Sequence, residues 1–346
     1  MSTHFEQEIR EQPEVLARLL REGRAEIEAA AHAIRLFGPE WAMIAARGSS
    51  DNAARYAQYL FGAHNRLGVA LAVPSLFTVY ASPPRLSRAL TIGISQSGQS
   101  PDVVSVLQEA RAQGSLTLAL SNELESPLAR AAEHRLPLLA GPERAVAATK
   151  TYTAQLFALA MLSAALEAKA ERWAELAQVP EWLDAVIARN TDLRDAVNEL
   201  QGARQLLVLG RGFNYATAFE LALKLKETSY VLAEPYSVAD LLHGPVALID
   251  SGFPVILVAP RGRSLLDVAA LLSLLEARGA RLLALSNAPE VLTRVPVHFE
   301  LPAGVPEWLS PIVSIIPGQL FAGALAAHAG QDPDRPRGLS KVTLTR

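Results

Sequence analysis

The chain repeats itself, and this repeat restricts its fold more than any other feature of the sequence. Three motifs occur twice in the same order: Arg47-Gly48 and Arg211-Gly212, Gly98-x-Ser100 and Gly262-x-Ser264, and Leu118-Ala-Leu-Ser-Asn122 and Leu283-Ala-Leu-Ser-Asn287. Each second copy lies 164 or 165 positions after the first. A constant offset at three separate places predicts two copies of one domain in tandem.

Within each copy, apolar runs of strand length alternate with helical segments. The predicted strands are Ala42–Ala46, Val69–Val73, Leu90–Ile94, Leu116–Leu120 and Leu136–Leu139, then Gln205–Leu209, Val255–Ala259, Arg281–Leu285 and His298–Leu301. Such alternation is typical of parallel sheets that carry helices on both faces. We therefore predict an α/β fold with two tandem, doubly wound domains.

The helical spacing of apolar residues places an N-terminal helix over 14–36 and a long helix from about Tyr152 to Arg172. Its apolar part, Leu156–Leu166, is the longest apolar helical stretch that we identify and is too short to span a bilayer. The predicted domains are a helical segment 1–36, a first domain 37–174, a helical linker 175–198, a second domain 199–330 and a tail 331–346.

The composition excludes several classes of function. Half of the residues are hydrophobic and 19% are charged, so a large core is available. The net charge of −3 and the lack of a basic block argue against a nucleic-acid partner. The chain has no cysteine, and its seven histidines lack metal-ligand spacing, so we expect neither thiol chemistry nor a metal. Without a signal peptide or membrane span, we expect a cytoplasmic protein.

The segment from Ile94 to Asp102 is a polar turn between a strand and a helix. Its polar side chains are Ser95, Gln96, Ser97 and Ser100. Together with free backbone N–H groups at the helix N-terminus, these groups favour a bound anion held by neutral donors. Gly98 lets the backbone turn tightly. The alternative is a serine-rich turn that only caps the helix.

The repeat has diverged at this turn. The second copy reads Ala259-Pro260-Arg261-Gly262, and proline removes a backbone donor. We therefore predict the anion site in the first copy only.

A second hydroxyl-bearing turn, Gly48-Ser49-Ser50, follows the first predicted strand. Ligands of open α/β sheets bind beyond the carboxyl ends of the strands, so Ser49 and Ser50 would reach the same ligand. The alternative is that Ser50 or Asp51 only caps the following helix. The segment that contains Val146 would add backbone donors, and Lys150 beside it is either solvated or functional.

Lys224 and Glu227 stand three residues apart on one face of a helix. They form a surface ion pair or, because the helix is apolar almost all round, a buried pair with a function. A buried Glu227 would take and return carbon-bound protons near neutral pH. His243, before a Gly-Pro turn, is assigned a functional role over a structural one. Lys341 in the tail has no distinguishing feature of its own.

Together these motifs resemble the SIS (sugar isomerase) domain family, in particular the isomerase half of glucosamine-6-phosphate synthase and related stand-alone deaminases and isomerases. The resemblance also implies flavodoxin-like domains. The matching stretches are Glu8-Ile-Arg-Glu-Gln-Pro13, Gly48-Ser-Ser50, Ile94-Ser-Gln-Ser-Gly98, Glu143 with Val146-Ala-Ala-Thr-Lys150, Ala222-Leu-Lys-Leu-Lys-Glu227, His243-Gly-Pro-Val-Ala-Leu-Ile-Asp250 and Pro336-Arg-Gly-Leu-Ser-Lys341.

The resemblance implies a sugar-phosphate site without a cofactor. Its substrate-binding residues would be Ser50, Ser95, Gln96, Ser97 and Ser100, with Gly48, Ser49, Gly98 and Val146 beside them. Glu227, assisted by Lys224, would move a proton between C1 and C2. His243 would assist ring opening from the neighbouring subunit of a homodimer with a shared active site. Lys341 would form a Schiff base with the C2 carbonyl of the ketose.

Three departures from the family pattern shape the predicted reaction. The chain lacks the cysteine of a glutaminase domain and begins where the isomerase half begins, so we expect it not to take nitrogen from glutamine. Ala148 replaces a serine, and Pro74-Ser-Leu-Phe77 replaces a Glu-Phe-Arg-Tyr stretch. We predict deamination of glucosamine 6-phosphate to fructose 6-phosphate and ammonia. The alternatives are an aldose–ketose isomerase or deglycase for another amino- or amine-linked hexose phosphate, and a non-catalytic sugar-phosphate sensor.

Overall fold

The computed structural model describes residues 2–341, apart from the side chain of Ala269. This part of the chain forms two parallel sheets of five strands each. The strands are β1 (Trp41–Ala45), β2 (Val69–Leu71), β3 (Ala89–Ile94), β4 (Leu116–Ser121), β5 (His134–Pro137), β6 (Gln205–Gly210), β7 (Leu232–Ser237), β8 (Pro254–Val258), β9 (Arg281–Ser286) and β10 (His298–Glu300). The sheet orders are β2-β1-β3-β4-β5 and β10-β9-β8-β6-β7, so both copies have the flavodoxin-like 2-1-3-4-5 order.

Sixteen helices of the described chain connect and cover these strands. They are α1 (His4–Arg10), α2 (Gln12–Glu22), α3 (Arg24–Phe37), α4 (Ser49–Asn65), α5 (Ser75–Thr78), α6 (Pro101–Ala112), α7 (Pro127–Ala131), α8 (Lys150–Glu167), α9 (Ala170–Ala177), α10 (Val179–Arg189), α11 (Arg194–Leu200), α12 (Tyr215–Thr228), α13 (Val238–Leu241), α14 (Leu265–Ala277), α15 (Pro289–Leu292) and α16 (Ser310–His328). Short 3₁₀ helices occur at Gly212–Asn214 and Pro245–Leu248. The tandem α/β architecture is as predicted.

The residues cluster into two compact units, each built on one sheet. The first-sheet unit comprises Glu11–Glu143, Lys150–Gln178 and the tail from Ser340. The second-sheet unit comprises the N-terminal segment up to Arg10, together with Arg144–Thr149 and Val179–Leu339. The domain boundaries inferred from the sequence stay a prediction.

The core of the first-sheet unit lies on both faces of its sheet. Strands β3 and β4 are buried along their whole length, as expected for parallel strands covered by helices. Helix α6 packs Val103, Val106 and Leu107 into one apolar cluster. Helix α8 is buried from Lys150 to Ala165 and packs against α2, α3 and α4. A helix that is apolar all round is a core helix.

The core of the second-sheet unit has the same plan. Strand β8 is fully buried, and Leu271, Leu272 and Leu275 of α14 pack against Leu207 and the apolar side chains of β8. Helices α12 and α16 pack against each other, and both contact the sheet. Each unit therefore presents the carboxyl ends of its parallel strands as a row of loops, where ligands of such sheets bind.

One strand was not predicted from the sequence. Strand β7, Leu-Ala-Glu-Pro-Tyr-Ser, alternates more exposed and buried residues and contains Pro235, so it does not have the apolar run of the central strands. It lies at the edge of its sheet and pairs only with β6 within the described chain. An edge strand tolerates proline because one side of its backbone needs no ladder hydrogen bonds.

The helix predictions need three corrections. The N-terminal helix predicted over 14–36 is two helices, α2 and α3, and a further helix, α1, precedes them. The long helix ends at Glu167, because Ala168 adopts a φ of +54°, and α9 follows it. The longest apolar helix is α16 rather than the stretch within α8. It was not predicted from the sequence because Pro317 interrupts its helical pattern.

Helix α16 is long and apolar enough to cross a bilayer, with a mean hydropathy of 1.5 in its most apolar window. In the protein, 83% of that window is buried. A core helix of a water-soluble domain meets the same criterion of length and composition, so this helix carries little weight as evidence for a membrane span.

Candidate functional site

The polar loop between β3 and α6 is held in a tight turn. Gly98 has a φ of +64°, and a Cβ atom at this position would lie 2.0 Å from the hydroxyl oxygen of Ser126. The hydroxyl oxygen of Ser95 accepts a hydrogen bond from the Gly98 N–H at 3.0 Å, and that of Ser97 accepts one from the Gln99 N–H at 3.3 Å. These two backbone N–H groups are therefore bonded within the loop.

The hydroxyl groups of Ser95 and Ser97 accept hydrogen bonds within the loop but donate none to a described residue. A hydroxyl group has one proton to donate and two lone pairs to accept with. In both Ser95 and Ser97 the oxygen accepts, and neither hydroxyl donates to any residue between 2 and 341. Ser100 occupies the N-cap position of α6 without a side-chain cap bond, so the interpretation of the loop as a mere helix cap is wrong.

The second polar loop follows β1. Gly48 has a φ of +54° and occupies the N-cap position of α4, so Ser50 and Asp51 lie inside the first turn of the helix rather than at its cap. The alternative in which Ser50 or Asp51 caps the helix is therefore wrong. The hydroxyl oxygen of Ser50 accepts a hydrogen bond from Nε2 of Gln155 at 3.0 Å. Asp51 pairs with Arg55, and burial raises the pKa of the Asp51 carboxyl despite this cation.

An ion pair fastens the two loops to each other. Nε and Nη2 of Arg47 both lie 2.7 Å from one carboxylate oxygen of Asp102, which is fully buried in the first turn of α6. Strands β1 and β3 are neighbours in the sheet, and between them the strand order reverses. Ligands of open α/β sheets bind at this switch point. Ser50 and the Ser95–Ser100 loop therefore flank one edge of the first sheet.

The tail lysine lies in the first-sheet unit and is paired. Nζ of Lys341 lies 2.6 Å from Oε2 of Glu143, whose carboxylate also accepts from the N–H and the hydroxyl of Thr151. This carboxylate is fully buried, so it is a fixed acceptor for the ammonium group. The sequence alone did not distinguish Lys341. The sequence signal that bears on its position is the family motif that contains Glu143, its partner in this ion pair.

Lys150 is buried rather than solvated. Its ammonium group forms an ion pair with Glu11 at 2.5 Å at the beginning of α8. The solvated interpretation of Lys150 is therefore wrong, and its contact is with the N-terminal helices rather than with the polar loops.

The segment that contains Val146 clusters with the second-sheet unit. The carboxylate of Glu8 accepts hydrogen bonds from the backbone N–H groups of Arg144 and Ala145 at 2.5 and 3.2 Å. Val146 and Ala148 are half-buried. The backbone just before Val146 is thus anchored, which suits a segment that offers fixed donors.

The second-sheet unit contains a buried chain of three charges on α12. Nζ of Lys224 lies 3.3 Å from Glu220 and 2.6 Å from Glu227. Lys224 and Glu220 are fully buried, whereas Glu227 keeps 23% of its side chain exposed. The surface-pair interpretation is therefore wrong for Lys224, and the expectation of a buried Glu227 is wrong as well. Glu220 was missed, although its i, i+4 spacing from Lys224 was a usable signal.

Lys224 is held in its charged form. Burial alone opposes a charge on this amine, but the carboxylates of Glu220 and Glu227 outweigh that effect and raise the pKa of Lys224 above its usual value. An ammonium group of this kind orients Glu227 and does not itself accept protons near neutral pH.

His243 lies in an exposed turn after α13. Its ring is exposed, Gly244 follows with a φ of +139°, and the ring makes no hydrogen bond to any described part of the chain. Leu242 and Leu248, in the same turn, are more than half exposed. Among residues 2–341, no group of three or more His, Asp or Glu side chains has a geometry suited to a metal.

Two parallel sheets, with polar loops at the switch point of the first, define a tandem α/β protein. Residues 39–165 and 199–329 both match the SIS domain, so the chain belongs to the SIS domain family.

The comparisons also identify individual similar proteins. The chain is 35% identical over 304 residues to a glutamine–fructose-6-phosphate aminotransferase (isomerizing) of Pyrococcus horikoshii, a match that covers 86% of this chain and 51% of the relative. It is 29% identical, with a TM-score of 0.86, to the C-terminal domain of glucosamine-fructose-6-phosphate aminotransferase from Francisella tularensis, covering 97% of this chain and 99% of that domain.

A glucosamine-6-phosphate deaminase from Thermotoga maritima has the same fold, at 22% identity and a TM-score of 0.74, covering 96% of this chain and all of that one. The chain spans about half the length of the curated relatives that it matches.

Proposed function

We propose that this chain is a deaminating sugar-phosphate isomerase that converts glucosamine 6-phosphate and water into fructose 6-phosphate and ammonia. Membership of the SIS domain family supports a phosphosugar substrate. The name of the Pyrococcus horikoshii relative joins fructose 6-phosphate to an amino-group transfer with isomerisation. The proposed reaction is the deaminating direction of the same carbon chemistry.

The observation that carries the proposal is the position of Glu227. A carboxylate that moves a proton between two carbons must be accessible to substrate and held in one orientation. Glu227 is partly exposed, and the buried ammonium group of Lys224 fixes it at 2.6 Å. A protein that only binds sugar phosphates has no need of a buried cation behind an accessible carboxylate.

The proposed steps assign one task to each group. The hydroxyls of Ser50, Ser95 and Ser97 hold the phosphate, His243 assists opening of the sugar ring, and Glu227 takes the proton from C2 and returns it to C1. This transfer converts the amino aldose into a C2 imine. Ammonia then leaves C2, and water supplies the oxygen of the ketose carbonyl.

Lys341 would act at C2 before water does. Its neutral amine would displace ammonia from the imine and form a Schiff base, which water then hydrolyses to the ketose. An amine attacks only after it loses its proton. Glu143 is the acceptor in place for this proton, at 2.6 Å from Nζ.

The direction of the reaction follows from the nitrogen source. The 346 residues contain no cysteine, so they offer no thiol of their own for glutamine hydrolysis. With free ammonia scarce, mass action favours deamination.

Ammonia release from a panel of amino-hexose phosphates tests the proposal. We expect release from glucosamine 6-phosphate, and a loss of rate of roughly 100- to 10,000-fold in Glu227→Gln, the usual contribution of general acid–base catalysis. Lys224→Met should lower the rate through Glu227, whereas the exposed neighbour Lys226→Met is the matched control. No ammonia from glucosamine 6-phosphate would reject the reaction.

A second candidate is an isomerase or deglycase that acts on another amino- or amine-linked hexose phosphate. It is favoured by Ala148, which brings no hydroxyl to its half-buried position, and by the Pro74–Phe77 segment. Release of ammonia or isomerised ketose from a different member of the same panel supports this candidate over the first.

A non-catalytic sensor is the third candidate. Exchange of the C2 proton with solvent deuterium in wild type, and its absence in a Glu227→Gln variant that still binds substrate, would exclude it. Borohydride trapping of fructose 6-phosphate, absent in Lys341→Ala, tests the Schiff base. The cytoplasmic location and the homodimer stay predictions. The exposed position of His243 beside Leu242 and Leu248 supports the homodimer.

A further inference from the structure

Gln155 is a buried amide that contacts the proposed phosphate site from behind. It lies on α8 with 1% of its surface exposed, and its Nε2 donates to the hydroxyl oxygen of Ser50, which is 8% exposed. Its Oε1 atom is buried and has no hydrogen-bond partner among residues 2–341. A buried amide oxygen without a partner is costly, so its retention calls for a reason.

The bond from Gln155 determines what Ser50 can do. Because the Ser50 oxygen accepts from Nε2, its single proton must go to another acceptor. No described residue takes that proton. Ser95 and Ser97 are in the same state, but there the donors that fix them are backbone N–H groups of their own loop. For Ser50 the donor is a side chain, and a substitution can remove it.

We infer that Gln155 is a positioning residue for phosphosugar binding. By donating to the Ser50 oxygen, it orients the Ser50 hydroxyl so that its proton is donated to a phosphate or sugar oxygen. The inference rests on the proposed function, since it needs a phosphosugar at the Ser50 loop. Gln155 does not touch the ligand. It acts through Ser50, and its effect disappears when the Ser50 hydroxyl is absent.

Calorimetric titration with fructose 6-phosphate tests the role in the full chain. A hydrogen bond to a charged acceptor contributes about tenfold or more to affinity. We expect Gln155→Met, which keeps the length of the side chain, to bind about tenfold more weakly than wild type. Gln155→Glu should bind about 100-fold more weakly at pH 8, because the new carboxylate accepts the Ser50 proton and repels the phosphate.

Two further measurements separate positioning from a structural role. In the Ser50→Ala background, Gln155→Met should lower the affinity by less than twofold more, because the residue acts through Ser50. As the pH falls, Gln155→Glu should regain affinity relative to wild type at the same pH, since a protonated carboxyl donates again. This arm is informative even where Gln155→Met fails to fold.

Thr153→Val is the matched control on the same helix. It removes a buried hydrogen bond, from the Thr153 hydroxyl to Gln12 at 2.6 Å, that does not involve the polar loops. Its affinity should stay within twofold of wild type, with thermal unfolding recorded for all variants.

If wild type binds fructose 6-phosphate and Gln155→Met binds within twofold of it, or if the losses with Ser50→Ala are additive, the role of Gln155 is overturned. If wild type itself binds no fructose 6-phosphate, the proposed function fails, and the inference fails with it.

Discussion

The two copies of the repeat treat the same loop in opposite ways. After β3, the hydroxyls of Ser95 and Ser97 have protons that no described residue accepts. After β8, at the equivalent position, the carboxylate of Glu307 accepts from the N–H of Arg263 and from the N–H and hydroxyl of Ser264 at 2.7 to 3.1 Å. In the second copy, a carboxylate of the chain itself therefore accepts from the donors of this loop.

The scaffold around the loops is nevertheless shared. Arg47 pairs with Asp102 in the first copy, and Arg211 pairs with Asp267 in the second, so both copies tie the loop after the first strand to the first turn of the helix after the third strand. Asp102 is fully buried, whereas 56% of Asp267 is exposed. The comparison indicates that the same fold presents hydrogen-bond donors in both loops, and that in the second copy Glu307 already accepts from them.

Gly98→Ala should have the largest effect on this comparison. A φ of +64° strains any side chain, and the new Cβ would lie 2.0 Å from the Ser126 hydroxyl, so the free energy of unfolding should fall by about 3 kcal/mol. Fructose 6-phosphate binding should be lost. Gly114→Ala, at a φ of +80° in open space, should cost only about 1 kcal/mol and leave binding intact. Equal costs in urea unfolding would contradict the close approach.

The second-largest effect is expected from removing the two arginine–aspartate ion pairs, which should differ in their contribution to stability. Arg47→Met leaves the buried carboxylate of Asp102 without this cation, so we expect the free energy of unfolding to fall by about 2–3 kcal/mol. Arg211→Met breaks a solvent-exposed pair and should cost about 0.5 kcal/mol or less, screened by salt. Denaturant unfolding at low and high salt measures both. A similar loss of unfolding free energy in the two variants would show that the burial of Asp102 does not make its ion pair more stabilising than that of Asp267.

Removing one hydroxyl from each loop tests which copy binds the ligand. Ser97→Ala should weaken fructose 6-phosphate binding about tenfold, the value of one hydrogen bond to a charged acceptor. Ser264→Ala should leave the affinity within twofold, because its hydroxyl already donates to Glu307. Calorimetry reports both values, and a larger loss in Ser264→Ala would reverse the assignment of the two copies.

The smallest effect is expected at Glu307 of the second copy. Glu307→Ala removes the shared acceptor of Arg263 and Ser264, so the free energy of unfolding should fall by about 1 kcal/mol. Sulfate should then restore the melting temperature of the variant more than it raises that of wild type. The wild-type comparison corrects for the general stabilisation by sulfate. Identical shifts in the two proteins would mean that the emptied loop does not bind anions.

The sequence predicted the layered architecture because the central parallel strands are continuous apolar runs, and it located nine of the ten described strands. It missed β7 and α16, which contain Pro235 and Pro317. Strand β7 tolerates its proline at the edge of the sheet, a position that no local pattern records. The restriction of the anion site to the first copy was inferred from Pro260. The partner that fills the second loop, Glu307, lies 43 residues from Ser264 and was beyond the reach of local reasoning.

Charged pairs showed the same limit. Spacing on one helix correctly joined Lys224 to Glu227, since side chains three apart on a helix always meet. It could not tell that Lys224 would be enclosed while Glu227 stays accessible, because that depends on how other elements pack against α12 in the folded chain. The pair of Glu143 and Lys341 joins residues 198 positions apart, which only the folded chain brings together.

The proposed phosphate loop consists of serine hydroxyls and amides and contains neither lysine nor arginine. Attraction between full charges weakens as dissolved ions screen it, whereas short hydrogen bonds from neutral groups are screened far less. A site of this kind should keep its affinity as ionic strength rises. It should also exert little long-range pull on unrelated polyanions, so selection among metabolites would fall to contact geometry alone.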